Sequence, residues 1–391
     1  MLLKIVDAMR IPSRVPVWLL ILIGVLWPWG LLAASLEESP PKVRGTAGLL
    51  GDLDSGRVLY AQDADVRLAP ASLTKVMTLY LVYEALAAKT LQLDAELLVS
   101  ENAWRTGGSK TFVKVGDRVR VEDLVRGIAI QSGNDACVVL AEHISGSESA
   151  FVALMNAKAA ELGLTNTHFT NATGLPDPEH YTSARDLFLL ASALLRKFPQ
   201  YSHYSQEKQF TYNNIRQHNR NNLLWRDPII TGLKTGHTRE AGYCLLATSD
   251  KEGQRMAAVV LGAATRKIRE DDALRLIHYG NKMYETVKYF EARAPVRKLR
   301  VWKGDQREVD GVVNEPLVVT ISRKERAGLE VGVAYDEPLV APIAAGQKIG
   351  SVVVKSGGKE LFVRDLVAGA PVERGNIFRV MVDAVRMTVG W

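Results

Sequence analysis

Three short clusters in this sequence hold residue types that together can transfer an acyl group. Ser72 and Lys75 stand three apart, Ser132 and Asn134 flank Gly133, and Lys234, Thr235 and Gly236 are consecutive. Singly, such patterns are common: S-x-x-K starts at Ser39, Ser72, Ser205 and Ser356, S-x-N starts at Ser100 and Ser132, and K-T-G occurs at Lys234. Context separates them. A serine nucleophile must be held rigidly where its developing charge is stabilised. Ser72 opens an amphipathic helical pattern after Pro70 and Ala71, whereas Ser39 lies in a linker, Ser205 in a polar stretch and Ser356 beside a Gly-Gly turn.

Residues three apart on a helix share a face, so the Lys75 amine can reach the Ser72 hydroxyl. A free lysine titrates near about 10.4 and is a poor base at neutral pH, so burial or neighbouring positive charge must lower it. Lys234 is the candidate neighbour, and a helix N-terminus at Ser72 favours an anionic nucleophile. Ser132-Gly133-Asn134 interrupts the apolar run VRGIAIQSGNDACVVLAEHI, and buried polar groups there must find partners. Either they cap helices, or they face a cleft where Ser132 could pass a proton to a leaving amine and Asn134 could hold a substrate amide. Lys234 and Thr235 could grip a carboxylate, and Gly236 lets a ligand approach the backbone. The N–H groups of Ser72 and His237 could then form an oxyanion hole.

The elements that must position these residues follow from periodicity. AGLLGDLDSGRVLYAQ, from Ala47, reads as two strands joined by a turn at Asp54-Ser55-Gly56. A helix begins near Ser72 with Val76, Leu79, Tyr80, Tyr83 and Leu86 on one face, and further helices are expected over 121–144, 148–162 and 183–197. GYCLLATS (242–249) and MAAVVLGA (256–263) pair as strands through Asp250 to Gly253, and a charged helix is expected over 265–292. After Pro295 short alternating apolar runs punctuated by Gly and Pro indicate a small all-β domain. From Asn376 to Trp391 helical spacing returns, with Arg379, Asp383 and Arg386 on one side and Ile377, Phe378, Val380, Met381, Ala384, Val385, Val389 and Trp391 on the other. Such an end either docks on its own protein or lies in a membrane interface, and its Trp and excess of Arg favour the membrane.

The chain has 391 residues, 47% hydrophobic and 24% charged, with a net charge of +6. That is an ordinary globular composition of roughly two or three domains, which excludes disorder, collagen and polytopic membrane architecture. The basic surplus is slight and no basic stripe with interleaved aromatics occurs, so nucleic acid is not an expected partner. Lys4, Arg10 and Arg14 precede the uncharged run Val15 to Ala34, which reads as a signal sequence cleaved after Ala34 or Ser35. Its length also admits an uncleaved anchor, and either way the remainder is exported. Cys137 and Cys244 are too few for a disulfide scaffold and are not spaced as a zinc site. They are expected as buried free thiols, with a single bridge as the alternative, and neither metal nor cofactor is expected.

The quoted clusters, read with their flanks, resemble the low-molecular-mass penicillin-binding proteins that act as serine-type D-alanyl-D-alanine carboxypeptidases. The resemblance rests on PASLTKVMT (70–78), GGSKTFVKVGDRVRVEDLVRGIAIQSGNDA (107–136), FVALMNAKAAELGLTNTHFTNATGLPDPEHYTSARDL (151–187), RQHNRNNLLW (216–225) and LKTGHTREAGYCLLATS (233–249), and it runs continuously over about 47–290. It implies an α/β (α+β) penicillin-binding, β-lactamase-like domain, a sheet flanked by helices, over 35–294 after a signal sequence over 1–34. A small β-rich domain over 295–374 and an amphipathic membrane-associating helix over 375–391 match the family by texture. Implied too are a Ser72 acyl-enzyme formed on peptidoglycan stem pentapeptides, Lys75 as base, and Arg220 helping Lys234 and Thr235 bind the terminal carboxylate. His237 is expected to contribute its backbone N–H rather than its imidazole, and β-lactams should acylate Ser72 lastingly. A D,D-endopeptidase acting on crosslinked peptides would use the same residues, and a non-catalytic cell-wall scaffold is the alternative of another kind. The E-x-x-L-N loop of class A β-lactamases is not found in the corresponding region.

Overall fold

Apolar runs as continuous as MAAVVLGA call for strands covered on both faces, and the fold is built around such a sheet. The computed structural model describes residues 39–335 and 337–389; the expected signal sequence, and Trp391 at the tip of the terminal helix, lie outside the described residues. Strands β1 (Ala47–Asp52), β2 (Val58–Gln62), β3 (Ile230–Thr238), β4 (Gly242–Lys251) and β5 (Gln254–Ala263) form one sheet in the order β2-β1-β5-β4-β3. Every pairing in it is antiparallel, so the mixed class resolves to α+β. Side chains alternate between two cores. Leu49, Leu246, Val259 and Leu261 pack into the helical side, while Leu50, Leu245, Ala258 and Val260 pack against Ala273, Leu276 and Ile277. The turn joining β4 to β5 is tighter than expected: the strands run on through Lys251, and Glu252 and Gly253, both at positive φ, close a two-residue hairpin.

The helical side is built from α1 (Lys75–Ala87), α2 (Asn134–Ser145), α3 (Glu148–Glu161) and α4 (Ala184–Lys197), and α5 (Arg266–Met283) covers the opposite face. In place of the expected one-sided helix, α1 is buried at every position from Lys75 to Tyr83, as a helix threaded through a core must be. The expected helix over 121–144 is divided. Val121–Arg126 is α-helical, Gly127–Gln131 widens into a π-helical turn, Ser132 is left-handed (φ 67°), and α2 restarts at Asn134. Such bulges re-aim side chains and gather at functional sites.

The charged helix expected to reach 292 ends at Met283. Tyr284–Phe290 (YETVKYF) is a strand paired with Leu317–Ser322, because its aromatic and β-branched residues favour extended backbone over helix. The β-rich region thus includes residues ahead of Pro295. Its six-stranded sheet runs in the order 329–334, 348–356, 359–368, 308–312, 295–302, 339–340, around Leu299, Val309, Val319, Ile321, Val352 and Leu366. Polar side chains fasten the 284–290 and 317–322 pair to the first sheet and its hairpin turn: Thr286 Oγ1 donates to Asp52 Oδ2 (2.7 Å), and Ser55 Oγ lies 2.6 Å from Thr320 Oγ1. The terminal helix α6 (Ile377–Val389) forms as expected. Both cysteines are buried and free.

Candidate active site

Ser72 lies in a single 3-10 turn, Ala71–Thr74, that leads into α1. The turn is held in an unusual shape, with Ala71 at φ 48°, a conformation that costs a non-glycine residue energy and persists only where neighbours impose it. Gly174 is one such neighbour: a β-carbon there would stand 1.9 Å from the Ala71 carbonyl oxygen. Lys75 Nζ donates to Ser72 Oγ (2.9 Å) and to Thr173 O (2.6 Å). The first bond is the one the three-residue spacing predicted; the second fixes the amine from a loop 98 residues away.

Ser132 and Asn134 are buried beside the π-helical turn. Asn134 Nδ2 donates to Gly107 O (2.6 Å), and its N–H donates to Ser109 O (2.7 Å), so the loop GGSK is tied to the start of α2. Ser132 Oγ is buried with no hydrogen-bond partner in the protein. An orphaned hydroxyl in a native fold calls for an explanation, and a bound substrate group would supply its partner.

Lys234, Thr235 and Gly236 lie on β3, the edge strand of the sheet, and all three are buried. A β-carbon at Gly236 would meet Pro70 O at 2.9 Å and Ser72 N at 3.2 Å, so glycine is what lets β3 pass against the serine turn. Lys234 Nζ donates to Thr235 O (3.1 Å). The His237 imidazole is exposed and stacked on Tyr243, with centroids 4.1 Å apart. Arg220 is exposed. Its N–H donates to Ile130 O (3.2 Å) and its Nε contacts Gln131 Oε1 (3.4 Å).

Electrostatics completes the arrangement. Burial lowers the Lys75 amine from its ordinary value to about 8; the Cys137 thiol and the Asp135 carboxylate oppose the shift, and Arg220 adds to it. Lys234 is held well below the ordinary lysine value, by burial first and then by the charges of Lys75 and Arg220. Burial raises the Cys137 thiol to about 12, which leaves it an uncharged packing group. A neutral amine on a serine hydroxyl, with N–H groups at a glycine-lined strand edge, can perform nucleophilic acyl transfer. Among the described residues no cluster of His, Cys, Asp and Glu could hold a metal ion.

Comparison with known proteins bears on which acyl transfer this is. Residues 34–265 match the peptidase S11 family model, described as D-alanyl-D-alanine carboxypeptidase. The chain belongs to that family. Residues 284–374 match the C-terminal domain of penicillin-binding protein 5. The D-alanyl-D-alanine carboxypeptidase DacC of Escherichia coli is 41% identical over 363 residues, 91% of each chain. The fold matches penicillin-binding protein 5 of Haemophilus influenzae with a TM-score of 0.82 at 38% identity, over 86% of this chain and 99% of that one. Penicillin-binding protein D2 of Listeria monocytogenes, solved in an ampicillin-bound form, matches at a TM-score of 0.57 and 31% identity, over 62% of this chain and all of that one.

In this carboxypeptidase-family chain three supporting residues escape sequence reasoning. Arg269 on α5 is buried and donates through one terminal nitrogen to Gly236 O (3.0 Å) and Cys244 O (3.1 Å), which braces β3 from behind. His180 is buried with Nε2 2.8 Å from Thr74 Oγ1, supporting the serine turn, and burial lowers its imidazole to about 4. Asp135 accepts the N–H groups of Thr111, Phe112, Val113 and Ala136 on its two oxygens. Its place directly after Ser132-Gly133-Asn134 was the available signal. Asp135→Asn puts an amide donor against backbone donors, so it should lower stability by about 2–4 kcal/mol and free the loop 107–113. Urea unfolding checks the first effect, and amide exchange of Thr111 to Val113 checks the second; unchanged exchange there would contradict the clamp.

Proposed function

We propose that this chain is a serine D,D-carboxypeptidase that removes the terminal D-Ala from peptidoglycan stem pentapeptides. The observation that carries the reading is the Lys75 amine, lowered to about 8, bonded to Ser72 Oγ at 2.9 Å. Lys75 in its neutral form takes the Ser72 proton as Oγ attacks the carbonyl carbon of the penultimate D-Ala. The N–H groups of Ser72 and His237 receive the oxyanion, while Lys234 and Thr235, with Arg220 at the rim, bind the terminal carboxylate. As the tetrahedral species collapses, the C–N bond breaks and Ser132 relays a proton to the departing amine. Water then attacks the ester, its proton passes back through Lys75, and the C–O bond to Ser72 breaks. β-Lactams acylate the same oxygen.

The test is release of D-Ala from a pentapeptide, compared with cleavage of a crosslinked dimer. Faster cleavage of the dimer would assign the endopeptidase alternative, which the same side chains serve.

We also infer that the protein works outside the cytoplasm on a membrane surface. α6 carries Arg379 and Asp383 toward the β-rich region and leaves Ile377, Phe378, Met381, Val382 and Val385 exposed, with Phe378 at 78%. An amphipathic helix that docks by its polar side presents an apolar face to the interface. Among the described residues no single helix is long and apolar enough to cross a membrane. Deleting 377–391 should therefore move the exported protein from the membrane to the soluble fraction with D-Ala release intact. Retention on the membrane would assign attachment to the N-terminal segment.

A further inference from the structure

Beside α6 lies a second cleft, of about 520 Å³, remote in sequence from the motifs of the active site. It opens between α6 and the strands Pro295–Trp302 and Glu308–Val312. Four guanidinium groups line it, those of Arg300, Arg307, Arg379 and Arg386, against two carboxylates, Glu308 and Asp383. Asp383 is engaged, since its Oδ2 accepts the Lys303 N–H (2.7 Å), and Arg379 donates to Asp305 O (2.6 Å). Arg300 lies over the Trp302 ring at 3.7 Å. Among the described residues Arg300, Arg307 and Arg386 take part in no ion pair. Phe378 and Val382, on α6 beside Arg379 and Arg386, also line the cleft and give it an apolar edge, which continues into the exposed face of Ile377, Met381 and Val385.

We propose that this cleft binds the phosphate headgroup of an anionic glycerophospholipid, with the acyl chains running out over the apolar face of α6. The proposal rests on the reading of α6 as a membrane-surface helix and names its lipid partner. Planar guanidinium forks suit phosphate oxygens, and the surplus of positive over negative groups leaves room for one anion. An apolar rim contiguous with arginines matches the depth at which a lipid's phosphate gives way to its chains. A free phosphate ion would use the arginines and leave Phe378 and Val382 without purpose.

The test uses the full chain and two kinds of vesicle, phosphatidylcholine alone and phosphatidylcholine with about one third phosphatidylglycerol. Each basic residue at an anionic surface adds roughly fivefold to binding, so the wild type should prefer the mixed vesicles by at least about tenfold. The R300Q/R307Q/R386Q variant should bind both kinds alike, while a control with the same loss of charge at distant surface sites, K89Q/R105Q/K267Q, should keep the preference. D-Ala release unchanged in both variants shows that they fold. A preference retained by the arginine variant, or lost equally in the control, overturns the proposal. Binding of inorganic phosphate without vesicles, present in the wild type and absent from the arginine variant, would overturn the lipid as occupant. Failure of the underlying reading shows separately, as binding to pure phosphatidylcholine that survives deletion of 377–391.

Discussion

Ser72→Ala should abolish D-Ala release, lowering the rate by at least about 10⁴-fold, and it should remove covalent labelling by a fluorescent penicillin. The expectation follows from the position of the hydroxyl. Ser72 Oγ is the oxygen that the Lys75 amine contacts, and the residue sits on a turn whose backbone N–H faces Gly236 across 3.2 Å to a notional β-carbon. The fold should survive, because Lys75 keeps its bond to Thr173 O and the lost hydroxyl is half-exposed. Intact-mass measurement after exposure to penicillin distinguishes the outcomes. An adduct on the Ser72→Ala protein would place the nucleophile elsewhere, with the unpartnered Ser132 hydroxyl the first to examine.

What the sequence made legible divides along a physical line. Ser72 and Lys75 could be paired because they stand three residues apart and, unlike the other S-x-x-K sites, open an amphipathic helical pattern. The strands 242–249 and 256–263 were legible because burial on both faces writes itself as an unbroken apolar run. Other features depend on contacts that no local pattern records. The left-handed Ala71 is packed against Gly174 and the strand edge at Gly236, both over a hundred residues away in the chain. The Thr173 carbonyl that fixes the amine and the Arg269 guanidinium behind β3 become neighbours only once the fold is made. The end of α5 was misjudged because its charged residues extend past Met283 into Tyr284–Phe290, where pairing with 317–322 decides the backbone. In the terminal helix, the sequence showed two faces but not their assignment. The structure puts Arg379 and Asp383 against the protein and leaves the apolar side uncovered, the reverse of an ordinary surface helix.

The second large effect concerns Lys75, where function and stability pull in opposite directions. Lys75→Met should cut the acylation rate by about 10²–10⁴-fold, the range of a lost general base. In the wild type kcat/KM should rise with pH through about 8, as the amine loses its proton; that ascending limb should be missing from what remains in the variant. The stability consequence has a definite sign. In the unfolded chain the lysine holds its proton up to about 10.4, while in the folded protein it releases it near about 8. Between those values the unfolded state binds more protons, so wild-type stability rises with pH across that window, by roughly 3 kcal/mol in all. Below the folded value both states are charged and the full cost of burying the ammonium is present. Methionine has nothing to titrate, and removing the Lys75 charge relieves part of what lowers Lys234, so the rise of stability with pH that Lys234 contributes is smaller in the variant and adds to the difference with the same sign. The wild type should accordingly gain on Lys75→Met by roughly 3 kcal/mol as pH climbs from neutrality to the unfolded value, read from urea unfolding at a series of pH values. A difference that stays flat across the window would mean that the amine is not depressed, and Lys75 could not then act as a neutral base near physiological pH. With the depression in place, about a tenth of the molecules at pH 7 carry the neutral amine, enough for turnover. The burial that makes the charge costly is the same burial that lowers the amine toward the range a general base needs.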